Sequence, residues 1–338
     1  MAPSVLLSPY LKISLEVSVK VCYNKCRGNV ERSESMGLIP TDIDILPPSD
    51  DRVFKLILTS PEAKPVLMDL ISSVIQRPVI DVVVRNNELP IGDTEEKAER
   101  LDVNCSIDDG SQVDLEMQAS RIQEDSSGEH KNLKGKSIYY LCDLHSSQSS
   151  KGVRRYDKLA QSYQITFCSY TVFPSRDNYV NSYSMRHDED NELLSDVIRI
   201  IYVELSKLDE ILKKSISDMT DLEKWSVFLR YANVPTHREI VNKVIESKEV
   251  LQMAGSLLMS VSQDEKERAV FRSRRMYQTD RDSDIATAED RGVQKGRLEG
   301  ETTKALAIAR SMVADGEPIE KIIKYTDLTI KDIESLKT

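Results

Sequence analysis

Two short segments concentrate the residues able to do chemistry: Leu101-Asp102-Val103-Asn104-Cys105-Ser106-Ile107 and Val113-Asp114-Leu115-Glu116-Met117-Gln118. In each, apolar and polar residues alternate, the period of a half-buried strand. Successive side chains leave a strand on opposite faces, so Asp102 lies across from the face of Leu101, Val103, Cys105 and Ile107. Glu116 and Gln118 likewise point together, away from Val113, Leu115 and Met117. Carboxylate oxygens are what a hard divalent cation such as Mg2+ takes, with Mn2+ as a substitute. Held between Asp102 and Glu116, with the Met117 carbonyl completing its coordination, such an ion could lower the pKa of a water and neutralise a phosphate under in-line attack. Gln118 would then orient the nucleophilic water. A solvated strand face carrying two acids and an amide fits the pattern too, so spacing alone leaves both readings open.

Whether the two acids meet depends on the turn Asp108-Asp109-Gly110-Ser111. A three-residue loop over 108–110 places glycine at the left-handed position of a bulged turn. Ile107 then faces Ser111, and counting back sets Val103 against Leu115 and Asp102 against Glu116. A two-residue loop would pair Asp102 with Met117 and mix polar with apolar faces. The hydrophobic pattern selects the first register, in which opposed Cβ atoms are roughly 5 Å apart. Carboxylates that close repel unless a cation intervenes or one is protonated.

The surrounding chain supplies the elements that must hold this hairpin. Asp50 or Asp51 can cap a helix with the apolar face Val53, Phe54, Ile57 and Leu58. A second helix follows from Pro61, carrying Val66, Leu67, Leu70, Ile71, Val74 and Ile75, and Pro78 ends it. Strands are predicted over 79–84, 164–173, 179–185 and 197–205, with a helix around 137–147. The fold class is α/β, a mixed sheet flanked by helices, followed by an all-helical C-terminal region. Four regions are expected: a weakly patterned extension over 1–40, with Met36 as an alternative start; an α/β domain over 41–205; a helical region over 206–284, with Trp225 in its core; and a charged helical tail over 285–338.

Bulk properties narrow the function classes. The chain has 338 residues, 40% hydrophobic and 30% charged, the texture of a globular protein. No apolar run approaches the roughly 18 residues of a membrane span, so no membrane partner is expected. Five scattered cysteines point to a reducing, cytoplasmic setting, with Cys22 and Cys26 read as unpaired thiols. A net charge of −10 argues against a protein that coats phosphate backbones. From 131 to 158, however, Lys131, Lys134, Lys136, Lys151, Arg154, Arg155 and Lys158 outnumber Asp143 and Asp157. Lys134, Lys136, Arg154 and Arg155 in this band are candidate DNA phosphate contacts, and equally ordinary surface charges.

Glu99-Arg100-Leu101-Asp102-Val103 followed by Val113-Asp114-Leu115-Glu116-Met117-Gln118 resembles the PD-(D/E)XK nuclease core in its E-x-Q form. More narrowly, the chain is similar to the Rpn family of recombination-promoting nucleases and transposases. Pro47-Pro48 with Asp51-Arg52-Val53-Phe54-Lys55, then Tyr139-Tyr140-Leu141 with Ser146-Ser147-Gln148, carry the likeness further, as do Asp264-Glu265-Lys266-Glu267-Arg268 and the tail after Glu289. The resemblance implies a Mg2+-dependent DNA endonuclease linked to recombination or mobile elements. Asp102 and Glu116 correspond to the metal-binding acids, and Gln118 to the position usually held by lysine. Leu101 stands where the motif has proline. Asp51 and Lys55 could reach the site as a third acid or phosphate contact, or serve as a helix cap and a surface lysine. A catalytically degenerate relative that binds DNA or protein is the alternative these departures leave open.

The tail carries two patterns of its own. Gly292, Gly296 and Gly300 recur every four residues, a stripe that admits close approach of a second copy or merely weakens a helix. Residues 319–336 read as two short helices around Thr326-Asp327-Leu328-Thr329, with Thr329 as a cap and a packing or partner-contact role.

Overall fold

The computed structural model describes residues 37–85, 103–119, 130–150 and 155–336. Among them six strands form one sheet: β1 (Val82–Val84), β2 (Val103–Ile107), β3 (Gln112–Gln118), β4 (Ser162–Cys168), β5 (Val180–Arg186) and β6 (Leu193–Glu204). Their spatial order is β1-β2-β3-β4-β6-β5. β1, β2 and β3 are antiparallel neighbours, β3, β4 and β6 run parallel, and β5 returns antiparallel on β6. The expected mixed sheet is therefore present, with the catalytic hairpin candidate supplying β2 and β3 at its middle.

Parallel neighbours need a crossover, and α3 (Lys131–Ser150) supplies it between β3 and β4. Its position defines one face of the sheet, since His145 Nδ1 lies 3.0 Å from Ser162 Oγ on β4. The other face is covered by α1 (Asp51–Thr59), whose Phe54 ring lies 5.7 Å from that of Phe167. Odd-numbered strand residues, among them Val103, Val113, Leu115, Ile165 and Phe167, are buried on the α1 side. Alternation along β3 and β4 thus sends Asp114, Glu116, Gln164 and Thr166 to the α3 side.

Local chemistry sets the element ends. Asp50, not Asp51, caps α1, its Oδ1 accepting from Arg52 N and Val53 N at 3.1 Å. The strand expected from Val79 begins only at Val82, because Val79 N donates to Ser72 Oγ and Ile80 N to Asp108 Oδ1 instead of to a neighbouring strand. The strand expected to reach Phe173 stops at Cys168. Beyond it, Val172 N and Phe173 N are claimed by Glu204 Oε1 at 2.6 and 3.0 Å.

The chain divides into two compact units at Gln263/Asp264. The first contains the sheet, α1, α2 (Lys64–Ile75), α4 (Asp221–Tyr231), α5 (Arg238–Glu246) and α6 (Glu249–Gln263). The helical stretch expected over 206–284 is shared between the units, because α4 and α6 pack on α2 and α6 also on α1. Trp225 on α4 is fully buried and donates to Asp69 Oδ2 of α2 at 2.8 Å. The end of the expected extension also joins this unit: Ile39 is buried and exchanges two hydrogen bonds with the Asn242 amide. At Gly37, with φ +80°, a Cβ would fall 2.1 Å from the Gln252 carbonyl oxygen, so only glycine fits. Residues 1–36, including Cys22 and Cys26, lie outside the described residues.

In the second unit, α7 (Glu265–Ala314) is a single helix capped by Asp264. Gly292, Gly296 and Gly300 are exposed on it, and a Cβ added at any of them would meet nothing within 4 Å. Its last turns close a small core with α8 (Ile319–Thr326) and α9 (Ile330–Ser335), built on Ala309, Ile322 and Ile333. Thr329 caps α9 in a reciprocal box with Asp332.

Candidate functional site

The β2–β3 turn sets which residues of the hairpin face one another. Gly110 adopts φ +86°, its N–H bonds to Ile107 O at 2.8 Å, and Ile107 N bonds to Ser111 O at 3.0 Å. Asp109 pins the turn from outside, accepting from Ser111 N and from Arg77 Nη2. The resulting register pairs Val103 with Leu115, Asn104 with Asp114 and Cys105 with Val113. This is the register of the three-residue loop. Asp102 and Leu101 lie outside the described residues.

Glu116 is 3% exposed and Asp114 6% exposed, side by side on the α3 face of β3. In the parallel register with β4, Gln164 stands opposite Asp114 and Thr166 opposite Glu116, both fully buried. From α3, the Lys136 ammonium pairs with Glu116 Oε1. Glu116 Oε2 is buried and accepts no hydrogen bond among the described residues. Burial raises the Asp114 carboxyl well above the usual carboxylate range; the neighbouring Gln164 amide pulls back, the Glu116 charge raises it further, and Lys136 lowers it. Burial, and after it the charges of Glu116 and Glu204, also push the Cys168 thiol far up, so it stays neutral.

A second buried glutamate on the same sheet face shows what a purely structural carboxylate looks like. Glu204 accepts from Val172 N, Phe173 N, Asn181 Nδ2 and Lys207 Nζ, which together saturate it. Glu116 has an unclaimed oxygen instead, next to a second acid. Oxygen-only donors with a vacant lone-pair site suit a hard divalent ion better than a soft one. Among the described residues, however, no group of three His, Cys, Asp or Glu side chains collects. A complete centre needs a further donor, and Asp102 is the acid that the strand pattern nominates.

The other expected site residues are spread over both faces of the sheet. Gln118 ends β3, half-buried, on the face of Glu116. Met117 sends its side chain into the opposite core, so only its backbone carbonyl is on offer. Asp51 is half-buried and accepts from Arg52 N at 2.7 Å in the first turn of α1. Lys55 is no surface lysine: it is 0% exposed on α1, which packs against β2 and β3. Lys134 Nζ sits 5.3 Å above the Phe173 ring, and Lys136 Nζ 5.3 Å above that of Tyr140. Arg155 is exposed and bonded twice to Asp157. Arg154 lies outside the described residues.

Sequence reasoning passed over Asp114, Gln164 and Thr166. The two-residue period already groups Asp114 with Glu116. Gln164 and Thr166 carry no such signal, because a parallel register across a crossover is not written in local spacing.

A family model described as PD-(D/E)XK nuclease family transposase matches residues 48–288, well over half of the chain. No curated protein and no solved structure matches. The match spans α1, the hairpin, α3 and the rest of the sheet, and no helix among the described residues is long and apolar enough to cross a membrane.

Proposed function

The chain belongs to the PD-(D/E)XK nuclease family transposases, and on that premise we propose that it is a divalent-metal-dependent DNA endonuclease. The observation that carries the reading is the buried, unclaimed Oε2 of Glu116 beside Asp114. An acid left half-satisfied in low dielectric is costly unless something cationic completes it.

Asp102 and Glu116 would hold the ion, Mg2+ or in its place Mn2+, with the Met117 carbonyl as a further oxygen. When bound, such an ion lowers the pKa of a coordinated water and offsets phosphate charge. Gln118 contributes what a neutral amide can, hydrogen bonds that orient the attacking water. Lys134, Arg154 and Arg155 lie in the chain segment following the hairpin and would hold the duplex by its phosphates, without reading sequence. α3 keeps bulk water from the inner part of the face, which strengthens each charge interaction there.

The test is incubation of purified protein with supercoiled plasmid in Mg2+, Mn2+ or EDTA. Nicked or linear product with either ion and none in EDTA supports the reading. Binding of DNA without product under every condition would identify a degenerate, non-cleaving relative.

A further inference from the structure

We infer that Lys136 is the cationic residue of this site: it occupies Glu116 while no metal is bound and is handed to a DNA phosphate when metal and substrate arrive. The inference rests on the nuclease reading above and adds to it the residue that supplies positive charge. A lysine can stabilise a developing anion through a full charge, which Gln118 cannot.

Three observations place that role on Lys136. Its ammonium contacts Glu116 Oε1, the carboxylate proposed to take the metal. Its side chain is 32% exposed while that of Glu116 is 4% exposed, so the charge sits on the solvent side of a buried acid, where a phosphate would arrive. It springs from α3, a long helix packed on β3, β4 and β6, which fixes the base of a side chain whose end can move. The structural alternative is visible in Lys207, whose side chain is 13% exposed and whose ammonium donates to Phe173 O, Arg176 O and Glu204 Oε2 at 2.6 to 2.8 Å. Lys207 binds two loop carbonyls to a saturated acid, whereas Lys136 shares an acid that still has an oxygen to give. The Tyr140 ring already lies 5.3 Å from the ammonium while it pairs with Glu116, so part of the stabilisation of that charge does not come from the acid.

The exchange has a consequence opposite to that of a structural pair. A metal ion on Oε2 competes with the ammonium on Oε1 for the charge of one carboxylate, so removing the lysine leaves metal binding unweakened or eases it. Phosphate binding and cleavage lose a charge.

The experiment compares wild type with Lys136→Met and Lys136→Arg in three measurements: Mn2+ affinity by electron paramagnetic resonance, affinity for a fluorescein-labelled duplex in Ca2+ across a salt series, and plasmid cleavage. For Lys136→Met we expect Mn2+ to bind as tightly as in wild type or tighter, and cleavage to fall about a hundredfold. The salt slope of DNA binding should become shallower by about one. Loss of Mn2+ binding in Lys136→Met would mean that the lysine merely holds Glu116 in place, and unchanged cleavage would mean that it plays no part; either overturns the inference. Lys136→Arg preserves the charge and should keep the wild-type DNA affinity and salt slope, so a drop in either also overturns it, even if Lys136→Met fails to fold. Failure of the nuclease reading looks different: wild type itself then binds no Mn2+ or leaves plasmid intact, and the inference falls with it.

Discussion

Asp114 and Glu116 stand two residues apart on β3 with both carboxyl groups buried in the same face, and one ammonium, that of Lys136, lies against the pair on Glu116. Two buried acids at this spacing work against folding unless one holds a proton or a cation joins them. In the metal-free protein the arrangement therefore depends on the Lys136 ammonium and on a proton held more tightly by Asp114.

Glu116→Gln keeps the shape and removes one of the opposed charges. It should leave the metal-free protein as stable as wild type or more so, within about 1 kcal/mol, while cleavage drops at least about a hundredfold. Asp102→Ala should lose cleavage to a similar degree and stay folded. Chemical denaturation and plasmid nicking measured on the same preparations check both parts.

Asp114 gives a pH signature. Its carboxyl binds a proton more tightly in the folded chain than in the unfolded one, where carboxyls titrate at about 4. Its contribution is complete below that pH and is lost as pH rises through the raised folded value. Metal-free stability should accordingly decline above about pH 4, and Asp114→Asn should flatten that part of the profile. Thermal melts in EDTA at stepped pH values read this out.

Lys55 and Arg155, both basic, should behave oppositely. Lys55 is fully buried, so Lys55→Ala deletes the packing of a long interior side chain, at about 3 kcal/mol or more. Arg155 is exposed, and its two bonds to Asp157 are in water, so Arg155→Ala should not measurably change stability. It should instead weaken DNA binding, as a lost phosphate contact does. Denaturant midpoints separate the two residues.

The glycines of α7 permit a test of the tail. Nothing lies within 4 Å of a Cβ at Gly292, Gly296 or Gly300. For an isolated helix, alanine at any one of them should raise stability by about 0.5–1 kcal/mol. If the stripe is instead a close-packed face between two copies, alanine should shift sedimentation toward the lighter species.

Much of this fold is legible in the sequence wherever a local rule is sufficient. Alternation with a glycine turn leads to the hairpin register, helical spacing puts Trp225 in the core, and Thr329 announces a cap. Rules of that kind fail where distant segments meet. Nothing in the spacing tells that Lys136 of α3 reaches Glu116, and composition makes it one basic residue among seven in its band. Lys55 reads as a surface residue because lysine is almost never fully buried without a charge partner. Asp114 is the exception, a residue whose face is readable from period two alone and whose burial is not.

Glu116 as the anchor of a divalent cation can be examined by titrating Mn2+ into the metal-free protein and following the free ion by electron paramagnetic resonance. Wild type should bind the ion in a saturable manner, and Glu116→Gln should weaken that binding at least about tenfold. Equal affinity in the two proteins, or no binding in wild type, would remove Glu116 from that role.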